Sequence, residues 1–398
     1  MSRYRLYPTP EQGAGMGTHC DHARFVWNLA REQHGWYRRS KGPAPNFAAQ
    51  CRQLTEARAE SDWLAGGSII VQQQALKDFA TAMTNFFAGT HRRPGFRKRG
   101  RHEGFRVVAV KPSDVRTVNR RWSEVRVPKV GWVRFRRSRA VPAARSYRIT
   151  RDSGGRWHLA FAAAPEPIPA PGTGSVVGVD RGVAVSAALS TGELLSCPGL
   201  RPKEAERLVR LQRRFARTRP GSNRRAKLKA RIGRLRARGV DRRKDWVEKT
   251  STGLARRFDV IRVEDLRIRN MTRSARGTVA EPGRNVRQKA GLNRGMLAQG
   301  WGLLVERLER KAPGRVEKVS PAFTSQRCAA CGQVARENRE SQAVFRCTAC
   351  GHVDNADVNA ARNIAAGHAV TARGGVGLPK PVNREPQHAT PPLLVGVE

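Results

Sequence analysis

Four cysteines near the C-terminal end have the spacing of a metal site. Cys328-Ala329-Ala330-Cys331 and Cys347-Thr348-Ala349-Cys350 are two CxxC pairs with fifteen residues between them, a spacing found in zinc ribbons. The two-residue gap lets a tight turn aim both thiolates at one ion, and Gly332 and Gly351, directly after the pairs, permit the positive φ such a turn needs. Four thiolates around one structural Zn²⁺ leave no position for water, so this site is expected to support the fold and not to react. Two disulfides or four free thiols are the competing readings. The absence of a secretory signal and an odd total of seven cysteines weigh against the disulfides. Iron in place of zinc stays open, because four thiolates suit it too. Cys20, Cys51 and Cys197 are isolated and read as reduced, packed thiols.

Three carboxylates form a second candidate constellation. Asp180 ends the apolar run Val176-Val177-Gly178-Val179, Glu264 ends Val260-Ile261-Arg262-Val263, and Asp357 lies at the start of a helical stretch beyond the cysteines. Adjacent strands of one sheet would bring Asp180 and Glu264 together across 84 residues of sequence, and a helix packed on that sheet can supply the third acid. Such a cluster suits two Mg²⁺ ions about 4 Å apart, one activating water and the other stabilising a leaving oxygen, which is the chemistry of phosphodiester hydrolysis. Asp265 and Asp354 compete for the second and third positions. Alternation favours Glu264, which ends the strand before the chain turns, and Asp357 is favoured because it already belongs to the first helical turn.

The elements that would position these groups can be read along the chain. A short strand at Arg3–Tyr7 precedes helical patterning to about residue 90, with Phe25, Val26, Leu29, Ile69, Ile70, Leu76, Phe79, Met83 and Phe86 at three- and four-residue steps on expected core faces. The basic loop His91–Arg101 surrounds Phe96 with Arg92, Arg93, Arg97, Lys98 and Arg99, and reads as a nucleic-acid contact or a solvated linker. Residues 104–165 alternate with period two as a small antiparallel β unit with many outward arginines. A Pro-rich linker at 165–172 is the clearest boundary. Beyond it come a β-meander through residue 196, an Arg-rich helical stretch broken near Pro220-Gly221, a helix through Trp246 and Leu254, and the strand ending at Glu264. A mobile segment is expected over 267–291, then a helix from about Arg294 to Arg310 and a strand at Val316–Val319. The tail from Gly367 is rich in Gly and Pro and reads as disordered.

Charge narrows the partners. Lys and Arg number 76 against 32 Asp and Glu, a net +44 over 398 residues, enough for two to four domains. A single-sign excess of this size calls for a polyanion, and nucleic acid is the expected one, against a basic surface that merely aids solubility. No apolar run approaches the roughly 20 residues needed to cross a bilayer, so no membrane is expected.

On seven blocks in one order the chain resembles the TnpB proteins of bacterial insertion sequences, over residues 1–366. The blocks are Arg5-Leu6-Tyr7-Pro8-Thr9 with Glu11-Gln12 and Val26-Trp27-Asn28; Gly178-Val179-Asp180-Arg181-Gly182; Arg242-Arg243-Lys244-Asp245-Trp246; Val263-Glu264-Asp265-Leu266; Gly291-Leu292-Asn293-Arg294; Pro321-Ala322-Phe323-Thr324-Ser325-Gln326-Arg327-Cys328; and Asp357-Val358-Asn359-Ala360-Ala361-Arg362-Asn363-Ile364. The resemblance implies a multidomain α+β and α/β architecture. A β-barrel wedge domain (1–9 and 91–166) would carry a helical recognition insertion (10–90). A RuvC nuclease domain of RNase H-like fold (172–319 and 353–366) would carry an inserted zinc ribbon (320–352), with a tail at 367–398. It further implies RNA-guided cleavage of double-stranded DNA beside a short transposon-adjacent motif, with a guide RNA from the transposon end and Asp180, Glu264 and Asp357 as ligands of two catalytic Mg²⁺. The expected setting is the bacterial cytoplasm, at the nucleoid. A guide-directed repressor with a decayed nuclease and a transposase acting on transposon ends are the alternatives. Decay would be expected to replace one of the acids, and all three positions are acidic.

Overall fold

The alternating apolar stretches around Val125, Trp132, Tyr147 and Trp157 are strands in the computed structural model, which describes residues 2–36, 40, 42 and 44–367. The tail expected to be disordered, 368–398, lies outside the described residues. The strands are β1 Ser2–Arg5, β2 Gly104–Val108, β3 Val115–Thr117, β4 Trp122–Val127, β5 Gly131–Arg136, β6 Ser146–Arg151, β7 Trp157–Phe161, β8 Val176–Asp180, β9 Ala187–Leu189, β10 Leu194–Leu195, β11 Val260–Glu264, β12 Val316–Val319, β13 Val344–Arg346 and β14 Val353–Asn355. The helices are α1 Pro10–Trp36, α2 Phe47–Glu60, α3 Asp62–Gly66, α4 Ile69–Phe87, α5 Pro202–Ala216, α6 Asn223–Arg257, α7 Ile268–Met271, α8 Val286–Gln299, α9 Trp301–Lys311 and α10 Ala356–Ala366. They fall into two units, one comprising residues up to Pro171 with Cys197–Arg257 and Ser274–Gly314, the other Gly172–Ser196, Phe258–Arg273 and the chain from Arg315.

In the first unit, two antiparallel sheets of order β1-β7-β6-β2 and β3-β4-β5 are joined by a bridge between Leu6 and Phe135 and by the Tyr7 amide donating to the Arg134 carbonyl at 2.8 Å. Pleating sends Tyr4, Phe105, Phe135, Ile149, Leu159 and Phe161 into one core, which α1 and α4 join through Val26, Leu76, Phe79 and Met83. Phe25 departs from the expected core: it is 45% exposed and edge-on to Trp63. Arginines on the three-stranded sheet are partly engaged within it, since Arg116 lies 4.3 Å over the Trp132 ring and 2.7 Å from Glu124.

Helices α5, α6, α8 and α9, which the sequence reading assigned to the nuclease domain, belong to this first unit. The reason is side-chain and backbone contact that no spacing reveals. A Cβ on Gly233 of α6 would lie 2.6 Å from the Ser153 carbonyl oxygen, Arg156 pairs with Asp241, and Trp301, Leu304 and Leu308 of α9 are buried beside α6. The single helix expected over Arg294–Arg310 is two, broken at Gly300 with φ +75°. The segment expected to be mobile holds α7, a Gly277–Pro282 bridge and the start of α8.

The second unit is a mixed five-stranded sheet of order β10-β9-β8-β11-β12. Strands β8, β9 and β10 form an antiparallel meander, while β11 pairs with β8 and with β12 in parallel. Helix α10 lies on β8 through Val358, Ala361 and Ile364, all buried. The approach needs a glycine: a Cβ on Gly178 would sit 2.0 Å from the Ala361 carbonyl oxygen and 2.4 Å from the Ala365 nitrogen.

Candidate metal centres

The parallel register of β8 and β11 aligns Val179 with Val263, so Asp180 and Glu264 end neighbouring strands at the same level. Helix α10 adds Asp357 from its first turn, where Asn355 caps the helix by accepting from the Asp357 and Val358 amides at 3.0 and 3.2 Å. Gly182 follows closely: a Cβ there would lie 3.9 Å from an Asp357 carboxylate oxygen. The competing acids point elsewhere. Asp265 is exposed, and Asp354 pairs with Arg362 at 2.6 Å.

Three acids at one sheet end are electrostatically unfavourable without a cation. Burial, with the charges of Glu264 and Asp357, pushes Asp180 up to about 7 from 3.8. Burial likewise raises Glu264, although Thr324 donates a hydrogen bond to its Oε1 at 2.8 Å and Arg181 sits near it. Arg181 is 6% exposed and its guanidinium donates to the Glu264 carbonyl oxygen. Arg339 reaches Asp357 Oδ1 at 3.3 Å. These oxygen donors, with Asp180 and Glu264 raised by burial, fit a hard divalent cation, which the two arginines replace only in part.

The four thiols are drawn closer. Their sulfurs all lie within 4.8 Å of one another. Cys328 and Cys350 are 3.8 Å apart, and Cys331 and Cys347 are 3.5 Å apart. A tetrahedron with Zn–S bonds of about 2.3 Å has edges of about 3.8 Å, so the set fits one zinc ion. Both knuckles close in the same way: the Gly332 amide donates to the Cys328 carbonyl and the Gly351 amide to the Cys347 carbonyl, each at 3.0 Å, with φ +79° and +71° at the glycines. Burial would raise Cys347, but N–H donors of Cys350 and Ala349 and the neighbouring thiols hold it to about 6. Cys328 and Cys347 pack with Phe345 and Ala356 in a small core of their own.

Comparisons with known proteins match most of the chain. Family profiles match residues 2–41 ("Helix-turn-helix domain"), 160–275 ("Probable transposase" of the OrfB group) and 301–364 ("Cas12f1-like, TNB domain"). A protein of Escherichia coli K12 named "Putative RNA-guided DNA endonuclease InsQ" is 38% identical over 396 residues, covering 96% of each chain. The chain belongs to the TnpB family. A second relative, "Putative RNA-guided DNA endonuclease" of Streptomyces pristinaespiralis, is 30% identical, covering 98% of this chain and 96% of its own length. The fold is similar to Cas12f1 in a solved complex with single-guide RNA and target DNA, at TM-score 0.50 and 14% identity over 87% of this chain and 81% of that one.

In this TnpB-family chain the sequence reading missed the residues that connect the two centres. Asn359 of α10 accepts from the Ala329 amide at 2.9 Å and donates to the Arg327 carbonyl at 2.7 Å. Asn363 donates to the Thr324 and Arg327 carbonyls at 2.9 and 2.8 Å. Both are buried, and their four-residue spacing within the last block was the available signal. The basic loop is also more structured than its composition suggests. Arg97 stacks 3.6 Å over the Trp27 ring, and burial lowers it to about 10. Its backbone is clasped by Asn28 at 2.7 and 3.1 Å. Arg92, Arg93, Phe96, Lys98 and Arg99 are exposed. No helix among the described residues is long and apolar enough to cross a membrane.

Proposed function

We propose that the chain is an RNA-guided endonuclease of double-stranded DNA encoded by an insertion sequence, with a RuvC-like catalytic domain in its second unit. The observation that carries this reading is the convergence of Asp180, Glu264 and Asp357 at one end of a mixed sheet, in a chain of the TnpB family. The meander extended by two parallel strands, with a helix against β8, supports an RNase H-like assignment. The names of the two relatives support RNA guidance and DNA as the substrate.

Asp180, Glu264 and Asp357 would hold two Mg²⁺, the first two from rigid neighbouring strands and the third from a capped helix turn. When bound, such ions activate water and stabilise the leaving oxygen of a phosphodiester. Thr324 occupies one oxygen of Glu264 and so orients the other. Arg339 does the same for Asp357. The four thiols hold one structural zinc, and Asn359 and Asn363 carry its rigidity to the helix bearing Asp357. A guide RNA from the transposon end supplies sequence specificity, and the exposed cations of the 92–99 loop contact nucleic acid beside a short adjacent motif. The working location is the bacterial nucleoid.

The test is purification with any bound RNA, sequencing of that RNA, and incubation of the complex with Mg²⁺ and DNA matching the guide. Guide-dependent cutting is expected. RNA-free protein that joins or cuts transposon ends would replace this reading with the transposase.

A further inference from the structure

Between Glu206 and Asp241 the sequence has no acidic residue while Arg and Lys recur throughout. In the first unit this stretch folds as the pair α5 and α6, closed by Leu211, Leu228, Ile232 and Leu235 with Leu208 and Phe215 against them. The pair is antiparallel: Arg225 donates to the Phe215 carbonyl at 3.0 Å near the connection, and Arg238 reaches Glu204 at 3.1 Å at the other end. Its surface holds a cavity of about 110 Å³ lined by Arg207, Arg231, Arg234 and Arg238, with Leu211 and Leu235. Arg238 shares Glu204 with Arg242, whereas Arg207, Arg231 and Arg234 have no hydrogen bond or ion pair among the described residues. Guanidiniums gathered around one hollow repel each other unless an anion enters.

We propose that this hollow is a phosphate-backbone site that takes successive phosphodiesters of a nucleic-acid strand. Arginine suits the role, since its planar fork donates to two phosphate oxygens at once. The hollow equals about four waters at ~30 Å³ each, room for a phosphate group with part of its hydration. Arg231, Arg234 and Arg238 span about 10 Å of helix axis at 1.5 Å per residue. That length exceeds the reach of a single phosphate group, so neighbouring phosphates of one strand match it better than one isolated anion. The inference rests on the proposed function only in taking nucleic acid, and not an acidic protein, as the polyanion.

The test uses the full chain with Arg207→Ala, Arg231→Ala and Arg234→Ala combined, and oligouridine and oligothymidine of about 20 nucleotides as probes. Three lost contacts at ~0.7 each lower the slope of log affinity against log salt by about 2 and weaken binding about 100-fold near 0.1 M salt. A control combining Arg52→Ala, Arg120→Ala and Arg121→Ala removes the same charge from other exposed positions and is expected to change the slope by less than half as much. Loss on both probes upholds the site, and loss on one alone upholds it and assigns it to RNA or to DNA. An unchanged slope and affinity, or a control equal to the groove variant, overturns it. Should the alanine variant melt below the wild type, the same three positions changed to lysine decide. Weaker binding at an unchanged slope is expected, and unaltered affinity overturns the guanidinium assignment. Failure of guided cutting sinks the nuclease reading yet leaves these binding slopes readable. A wild-type chain that binds neither probe overturns the groove.

Discussion

The thiol cluster and the carboxylate cluster lie in the same unit but are organised by opposite principles. Backbone turns hold four sulfurs within 4.8 Å, close enough to surround an ion on every side. Among the described residues no carboxylate group of three is gathered so tightly. The acids instead sit at the ends of separate elements, with Asp180 and Glu264 raised by burial and with Thr324, Arg181 and Arg339 as partial partners. A closed site gives up open coordination for rigidity, and an acid cluster keeps space for substrate at the cost of repulsion between its members. The thiols thus leave no room for a further ligand, whereas the carboxylates do.

Removing one member of each cluster is the sharpest way to break this comparison. Asp180→Ala is expected to lower guided DNA cutting by at least about 10²-fold, with RNA and DNA binding kept, because a lost charge-stabilising group acts on the reaction and not on the fold. Cutting rates and filter binding measured side by side check it, and equal cutting by the variant would remove Asp180 from the active site. Cys347→Ser should take bound zinc from one per chain to near zero and lower the melting temperature, since structural zinc binding is folding free energy. Elemental analysis with thermal melting is the readout. Retained zinc in that variant would mean that the thiols are not a closed set. A smaller effect is expected for Asn359→Ala, which strands the Ala329 amide, leaves the Arg327 carbonyl to Asn363 alone and costs about 1–3 kcal/mol. If the zinc module supports Asp357 through α10, cutting falls in this variant while zinc stays bound. Unaltered cutting would separate the two centres.

How legible each centre was follows from how local its determinants are. A CxxC pair followed by glycine carries its geometry within five residues, so Gly332 and Gly351 could be assigned their positive φ from sequence. Strand alternation favours Glu264 over Asp265; Glu264 is buried at the strand end and Asp265 is exposed. The supporting residues depend on distant chain segments. Thr324 meets Glu264 across 60 residues, and Arg181 meets the Glu264 carbonyl across 83. No periodicity signals such meetings. The same holds for the stacking of Arg97 on Trp27, which joins residues 70 apart. Chain order sets α5, α6, α8 and α9 among the strands that end in Asp180 and Glu264, whereas contacts such as Gly233 on Ser153 group them with the first unit. Broad elements were legible because burial periodicity is local. Allegiance between elements is not.

The smallest predicted effect tests the repulsion itself. In metal-free protein Asp180 titrates near 7 against 3.8 for its ordinary value, with burial the main cause and the neighbouring acids next. Between those two values the folded state holds a proton that the unfolded state has released, so stability falls as pH rises through that window. Glu264 shifts in the same direction and adds to the slope. Asp180→Asn removes the charge and keeps the shape. The metal-free variant is therefore expected to melt a few degrees above wild type near about pH 8 and to converge with it near about pH 4. Mg²⁺ acts oppositely, because it binds the ionised acids. It should raise the wild-type melting temperature near about pH 8, have little effect near about pH 5, and lose most of its effect in Asp180→Asn. Calorimetry of wild type and variant with and without Mg²⁺ provides the four curves. Parallel pH profiles for the two metal-free proteins would show that Asp180 is not under electrostatic strain, and the contrast between a satisfied thiol centre and an unsatisfied carboxylate centre would then fail.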